Sequence, residues 1–192
     1  PPGSAVIGMV ANFRPVKRVE DLMIAFKAVL GRFPGSYLVL AGHTGDRSHE
    51  YESLLGTLGI QNNTRILGMI TNVIPLMKHF TVGVICSESE GMSNSLIEYM
   101  GCGIPIVASD IAANRELIRN GYDGYLYPVG DTERLASCIM DLLEQEDFRG
   151  RMTSGYMRIL SDRFDLTGNH ARYEAFYRDI VTDLHEGHPN EH

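Results

Sequence analysis

The chain has 192 residues, 44% of them hydrophobic, enough for one domain with a full core. A formal net charge of −7 argues against a nucleic-acid binder. No apolar run approaches the ~20 residues that a membrane-spanning helix needs.

The chain opens Pro1-Pro2-Gly3-Ser4 and goes straight into a strand, which reads as no signal peptide and a cut at a domain boundary. Ser4 to Ala11 is that strand. Val19 to Phe33 follows as an amphipathic helix with Leu22, Ala25, Phe26, Val29 and Leu30 on one face. Pro34-Gly35 closes it, and Ser36 to Gly42 is the second strand. The spacing predicts a helix from His49 to Leu58, a short strand from Thr64 to Gly68, and a short helix from Asn72 to Phe80 with Pro75 in its first turn.

Thr81 to Cys86 is an apolar run that reads as a buried parallel strand. Ser93 then opens a helix as its N-cap, its hydroxyl placed to accept from the N–H of Ser95 or Leu96. Leu96, Ile97 and Met100 form the sheet-facing side, Gly101 and Gly103 end the helix, and Ile104 to Ala108 is the fifth strand. A helix is predicted over Ala113 to Asn120, a last strand over Tyr125 to Pro128, and a long helix capped by Asp131. Phe148 to about Leu184 reads as two more helices broken near Phe164 to Gly168. Strands alternating with helices specify an α/β fold, a doubly wound parallel sheet of about six strands with helices on both faces. Residues 1–185 form one domain in this reading, and 186–192 a disordered tail.

Two stretches carry candidate chemistry. Strand four runs into a loop and a helix N-terminus, so the N–H groups of Ser93, Asn94, Ser95 and Leu96, with Gly91 and Met92 before them, face the carboxyl edge of the sheet, where they suit a phosphate. Glu90 and Glu98 flank that anion site. Carboxylates beside a phosphate need donors of their own, and sugar hydroxyls supply them. Taken alone, the two glutamates fit better as a loop carboxylate and a solvated helix residue.

The second stretch is Val10-Ala11-Asn12-Phe13-Arg14-Pro15-Val16-Lys17-Arg18, with three cations at the carboxyl end of strand one. His43, Asp46 and His49 invite a metal, but no H-E-x-x-H or C-x-x-C accompanies them, so no metal is expected. Cys86, Cys102 and Cys138 read as reduced, buried thiols of a cytosolic compartment.

The run E-G-M-S-N-S-L-I-E-Y-M-G-C-G-I-P-I-V resembles the E-x7-E signature of retaining GT-B glycosyltransferases, followed there by E-A-M-A-x-G-x-P-V-V. The β1 loop resembles that family's G-R-L-x-x-x-K-G, with Lys17 on the family Lys, Asn12 in place of the family Arg, and Arg14 without a fixed counterpart. Val19 to Phe26 resembles V-D-x-L-I-x-A-F. Gly42 to Asp46 is similar to the glycine-rich loop, and Arg65 to Ile70 to the segment whose backbone, at Met69 and Ile70, pairs with the base.

The resemblance implies the donor-binding half of an enzyme that moves a sugar from a nucleotide-diphospho-sugar (UDP-, GDP- or ADP-linked) to an acceptor, keeping anomeric configuration. Lys17 and the helix N-terminus would hold the diphosphate, with Arg14 or Asn12 beside them. Glu98 would hold the ribose and Glu90 the transferred sugar, with no metal or other cofactor. A glycan, lipid or small-molecule acceptor would be held by an N-terminal domain missing from this chain, leaving the chain alone inactive. The expected location is cytoplasmic, with peripheral attachment at the inner membrane open to the intact protein. A non-catalytic nucleotide-sugar-binding regulatory module and a sugar-nucleotide epimerase of GT-B architecture are the alternatives.

Overall fold

The computed structural model describes residues 3–164. The chain divides into two units, Pro1–Met157 and Arg158–His192. The first carries a sheet of six strands: β1 (Val6–Val10), β2 (Tyr37–Ala41), β3 (Thr64–Leu67), β4 (Val82–Ile85), β5 (Ile106–Ser109) and β6 (Tyr125–Tyr127). Their order is β3-β2-β1-β4-β5-β6 and every pairing is parallel. β4 and β5 are buried at every position, as their β-branched sequences require of central strands.

From β1 the chain steps outward to β2 and β3, then returns to the other side of β1 and steps outward again. Right-handed crossovers in the two directions put helices on both faces of the sheet. They open a crevice at the carboxyl ends of β1 and β4, where the winding reverses. Helix α1 (Val19–Arg32) packs along the later helix α6 (Thr132–Glu144). α1 buries Leu22, Met23, Phe26 and Val29, and α6 buries Leu135, Cys138, Ile139 and Leu142. The side chain of Asp131 caps α6, accepting from Arg134 N–H at 2.8 Å. Between them lie α2 (Ser48–Leu58), α3 (Ile74–Met77), α4 (Asn94–Gly101) and α5 (Ala112–Arg115).

Several predicted boundaries move, each for a local reason. The helix expected over Asn72 to Phe80 is one turn, α3. Asn72 Oδ1 takes the Ile74 N–H at 3.3 Å, and His79 and Phe80 close onto Leu76 and Met77 in tighter three-residue turns. The helix expected over Ala113 to Asn120 stops at Arg115. Just past it Leu117 N–H closes onto Asn114 in a three-residue turn at 3.2 Å, and further on Asp123 accepts from the Arg119 backbone at 3.2 Å and from its guanidinium at 2.6 Å.

After α6, helix α7 (Glu146–Thr153) ends sooner than expected, and α8 (Tyr156–Phe164) begins after Ser154 and Gly155. The break expected near Phe164 to Gly168 lies, apart from Phe164, outside the described residues, as do the helix to Leu184 and the tail from 186. On α4 the buried residues are Leu96, Tyr99 and Met100, at i, i+3 and i+4; Ile97, expected in the core, is half-buried. Cys86 and Cys138 are buried free thiols, and Cys102 is only half-buried.

Candidate functional site

The crevice between β1 and β4 is where the two candidate stretches meet. Gly42, just past β2, forms part of its floor. Gly42 has φ +146°, and a Cβ there would lie 1.7 Å from the Ala11 carbonyl oxygen, so only glycine allows this approach to the end of β1. Two side chains of α4 fasten it to β1. Ser95 Oγ donates to the Val10 carbonyl at 2.7 Å, and the Val10 N–H donates to the Tyr99 hydroxyl at 2.9 Å. The Tyr99 ring lies where a Cβ on Gly83 would come within 2.8 Å of it, so a bare position in β4 makes room for the tyrosine.

The first turn of α4 departs from expectation. Ser93 has the extended backbone of an N-cap, but its hydroxyl accepts no hydrogen bond from the helix. Its carbonyl instead takes the N–H groups of Leu96 and Ile97, at 3.1 and 3.3 Å. Leu96 N–H is therefore spent inside the turn and its side chain is fully buried, which removes Leu96 from the open edge. The N–H groups of Asn94 and Ser95 have no acceptor among the described residues and remain at the positive end of the helix dipole.

Lys17, closing a short turn over Pro15–Lys17, forms an ion pair with Glu90. Ser87 Oγ donates to the same carboxylate at 2.6 Å. Behind Ser87, its carbonyl accepts from the buried Ser109 hydroxyl, and the Ser109 carbonyl accepts from Asn114 Nδ2 at 2.8 Å. Glu90 thus rests on a chain of buried polar groups running from the end of β4 to the end of β5. Sequence reasoning missed Ser87, Ser109 and Asn114; the available signal was a serine at the carboxyl end of each of two otherwise apolar strand runs.

Three openings surround Asn12, which borders all of them. One, of about 300 Å³, includes Gly42, Met69, Ile70 and Glu98 in its lining. A second, of about 400 Å³, is lined by Asn12, Arg14, Val16, Lys17, Ser89, Glu90 and Gly91. The third lies on the side of His43. The two glutamates therefore face different openings with Asn12 between them. Glu98 accepts no hydrogen bond from any described residue, and burial pushes its carboxyl above the usual carboxylate range. Met69 and Met92 are largely exposed beside the crevice. Arg14 is exposed and reaches the second and third openings. Burial pushes the Cys86 thiol up to about 12, so it is no nucleophile.

Among the described residues no group of three or more His, Cys, Asp and Glu side chains could hold a metal ion. In the same residues no helix is long and apolar enough to cross a membrane.

N-acetyl-alpha-D-glucosaminyl L-malate synthase of Bacillus anthracis is 29% identical over 178 residues, covering 93% of this chain and 46% of that protein. Phosphatidyl-myo-inositol mannosyltransferase of Mycobacterium leprae is 30% identical over 183 residues, covering 94% and 48%. The structure of Anabaena HepE in complex with UDP-glucose superposes with a TM-score of 0.83 at 26% identity, over 92% of this chain and 49% of HepE. A Rickettsia africae glycosyltransferase shares the fold with a TM-score of 0.86 at 20% identity, over 94% and 49%. The chain spans about half the length of the relatives it matches. The doubly wound sheet is the Rossmann-like half of the GT-B glycosyltransferase fold. The family model for glycosyl transferases group 1 matches residues 1–155, and the chain belongs to that family.

Proposed function

We propose that this chain binds the nucleotide-diphospho-sugar donor of a retaining, metal-independent glycosyltransferase. The observation that carries the proposal is Glu98. It is a partly buried carboxylate with no donor among the described residues, bordering an opening beside Met69 and Ile70 and separated by Asn12 from the cationic opening of Lys17. A carboxylate held that way accepts from vicinal hydroxyls, such as those of a ribose.

In this reading the base lies against the backbone of Met69 and Ile70 beside Gly42, and the ribose on Glu98. The diphosphate crosses Asn12 toward Lys17, Gly91, Met92 and the free N–H groups of Asn94 and Ser95. Lys17, Arg14 and the helix dipole supply the positive charge that a metal would otherwise bring. Glu90, steadied by Ser87, accepts from hydroxyls of the sugar. The bond from the anomeric carbon to the phosphate oxygen breaks and its electron pair leaves with the diphosphate. The acceptor oxygen bonds to the same carbon on the same face, and its proton passes to the departing phosphate. The acceptor is held by residues beyond this chain, so the chain alone has no transfer activity.

One feature favours a non-catalytic nucleotide-sugar-binding module as the second reading. Position 12 is an uncharged Asn, and the Lys17 charge is already committed to Glu90. The separating experiment is calorimetry with UDP, GDP and ADP, alongside sugar transfer by the intact gene product. Lys17→Ala is expected to weaken diphosphate binding by ~1.5–3 kcal/mol, the range for a hydrogen bond to a charged group. Unchanged affinity in a folded variant rejects the diphosphate assignment. Tight binding with no transfer by the intact protein favours the module.

A further inference from the structure

The three openings around Asn12 differ in charge. The first holds the Glu98 carboxylate, and the second holds Lys17 already paired with Glu90. The third, of about 310 Å³, is lined by Asn12, Phe13, Arg14, His43, Gly45 and Met69. Among the described residues no carboxylate lines it; Asp46, next in the chain after Gly45, stands outside the lining.

Its two polar side chains besides Asn12 are set to donate. Arg14 makes no ion pair among the described residues, in contrast to its neighbours Lys17 and Arg18. His43 accepts the Gly45 N–H on Nδ1 at 3.0 Å, so the neutral imidazole carries its proton on Nε2. The Phe13 N–H donates to the His43 carbonyl at 2.9 Å, which ties the loop bearing Arg14 to the loop bearing His43. A guanidinium fork, an imidazole N–H and the Asn12 amide around one opening without a carboxylate are matched by an anion.

We propose that Arg14 and His43 form an anion site taking the oxygens of a phosphate or carboxylate. Two ligands carry that chemistry: the donor's diphosphate, swung across Asn12 toward β2, or an acidic group on the acceptor. The first source rests on the nucleotide-sugar reading above; the site itself does not.

The test follows the His43 imidazole resonances of the whole chain by NMR while inorganic phosphate is added, then repeats this on protein saturated with UDP, GDP or ADP. Phosphate is expected to shift the His43 signals. Arg14→Ala should weaken that binding about tenfold or more, as for a hydrogen bond to a charged group. Arg14→Lys should recover only part, because it keeps the charge but loses the fork.

If a nucleoside diphosphate displaces phosphate, and Arg14→Ala weakens its binding but not that of the nucleoside alone, the occupant is the donor's diphosphate. If phosphate still binds beside the nucleotide, the occupant is an acidic group of the acceptor. A chain that takes phosphate at His43 but no nucleoside diphosphate keeps the site and rejects the donor reading. His43 signals that ignore phosphate, or a phosphate affinity untouched by Arg14→Ala, overturn the proposal.

Discussion

The two segments that face each other across the crevice are built by opposite means. The β1–α1 loop is a solvent-facing turn held mainly by its own backbone, with Lys17 N–H donating to Arg14 at 2.8 Å and Arg18 N–H to Pro15 at 3.0 Å. Arg18 is its strained point, at φ 47°, the one positive-φ residue other than glycine among those described. That conformation costs about 1–2 kcal/mol. It is offset where the guanidinium grips Asp21 at 2.6 and 3.2 Å, with Glu88 of the opposite segment 3.6 Å away.

The β4–α4 segment is instead fastened from behind by buried hydroxyls and an amide: Ser87, Ser109, Asn114, Ser95 and Tyr99. The cations thus ride on a turn closed largely by its own backbone, and the carboxylates on a segment braced by buried side chains. The Lys17–Glu90 pair is where the two meet. On the proposed donor-binding reading, a diphosphate would compete for Lys17 with a glutamate that Ser87 also holds.

The contrast breaks most severely at Gly42, where both the loop and the sheet edge depend on one close approach. Gly42→Ala puts a Cβ into the Ala11 carbonyl at a φ that L-residues rarely adopt. Strain of this kind and the clash together should cost above about 3 kcal/mol in urea unfolding. A loss under about 1 kcal/mol would mean that the loop can lift away from β2, and that the crevice floor is softer than described.

Tyr99→Phe attacks the framework side alone. It leaves the Val10 N–H without the hydroxyl it donates to at 2.9 Å, at the buried seam between β1 and α4. An unsatisfied buried donor costs about 1–3 kcal/mol. The same change on the loop side, where donors turn to water, would cost little. A urea midpoint that does not move places water or a shifted backbone at Val10, and removes the rigid half of the comparison.

That asymmetry also explains what the sequence made legible. The strands were readable because Thr81 to Cys86 and Ile104 to Ala108 are short, largely apolar runs that suit a doubly covered sheet. The motif glutamates and Lys17 were singled out by their place in a family pattern, because residue type alone favours solvated side chains there. Tyr99 was passed over beside Glu98, although it completes the i, i+3, i+4 stripe with Leu96 and Met100. The Lys17–Glu90 pair joins residues far apart in sequence, so only the order of the sheet brings them together. The first turn of α4 was misjudged at Ser93, because residue type suggests a hydroxyl cap while the backbone closes the turn with its own carbonyl. The short α5 was misjudged because the chain past Arg115 tightens into a three-residue turn and then a turn held by Arg119 and Asp123, neither of which the helical spacing reveals.

The smallest expected effect sharpens the comparison best, because its sign differs between folding and binding. Glu98 belongs to the framework side, yet among the described residues no donor holds it. Burial disfavours its charge. Glu98→Gln removes that charge, so the folded chain should be as stable as before or slightly more so in urea. Binding should move the other way. A carboxylate accepts from the 2′ and 3′ hydroxyls of a ribose at once, while an amide offers a single acceptor oxygen. The loss for a ribonucleoside diphosphate should be about 1 kcal/mol, the net worth of one such hydrogen bond. Its 2′-deoxy analogue, with one hydroxyl fewer to satisfy, should lose less. Calorimetry on both nucleotides reads the difference directly. Equal losses would assign Glu98 to something other than ribose, and a fall in stability would mean that it has a donor inside the fold after all.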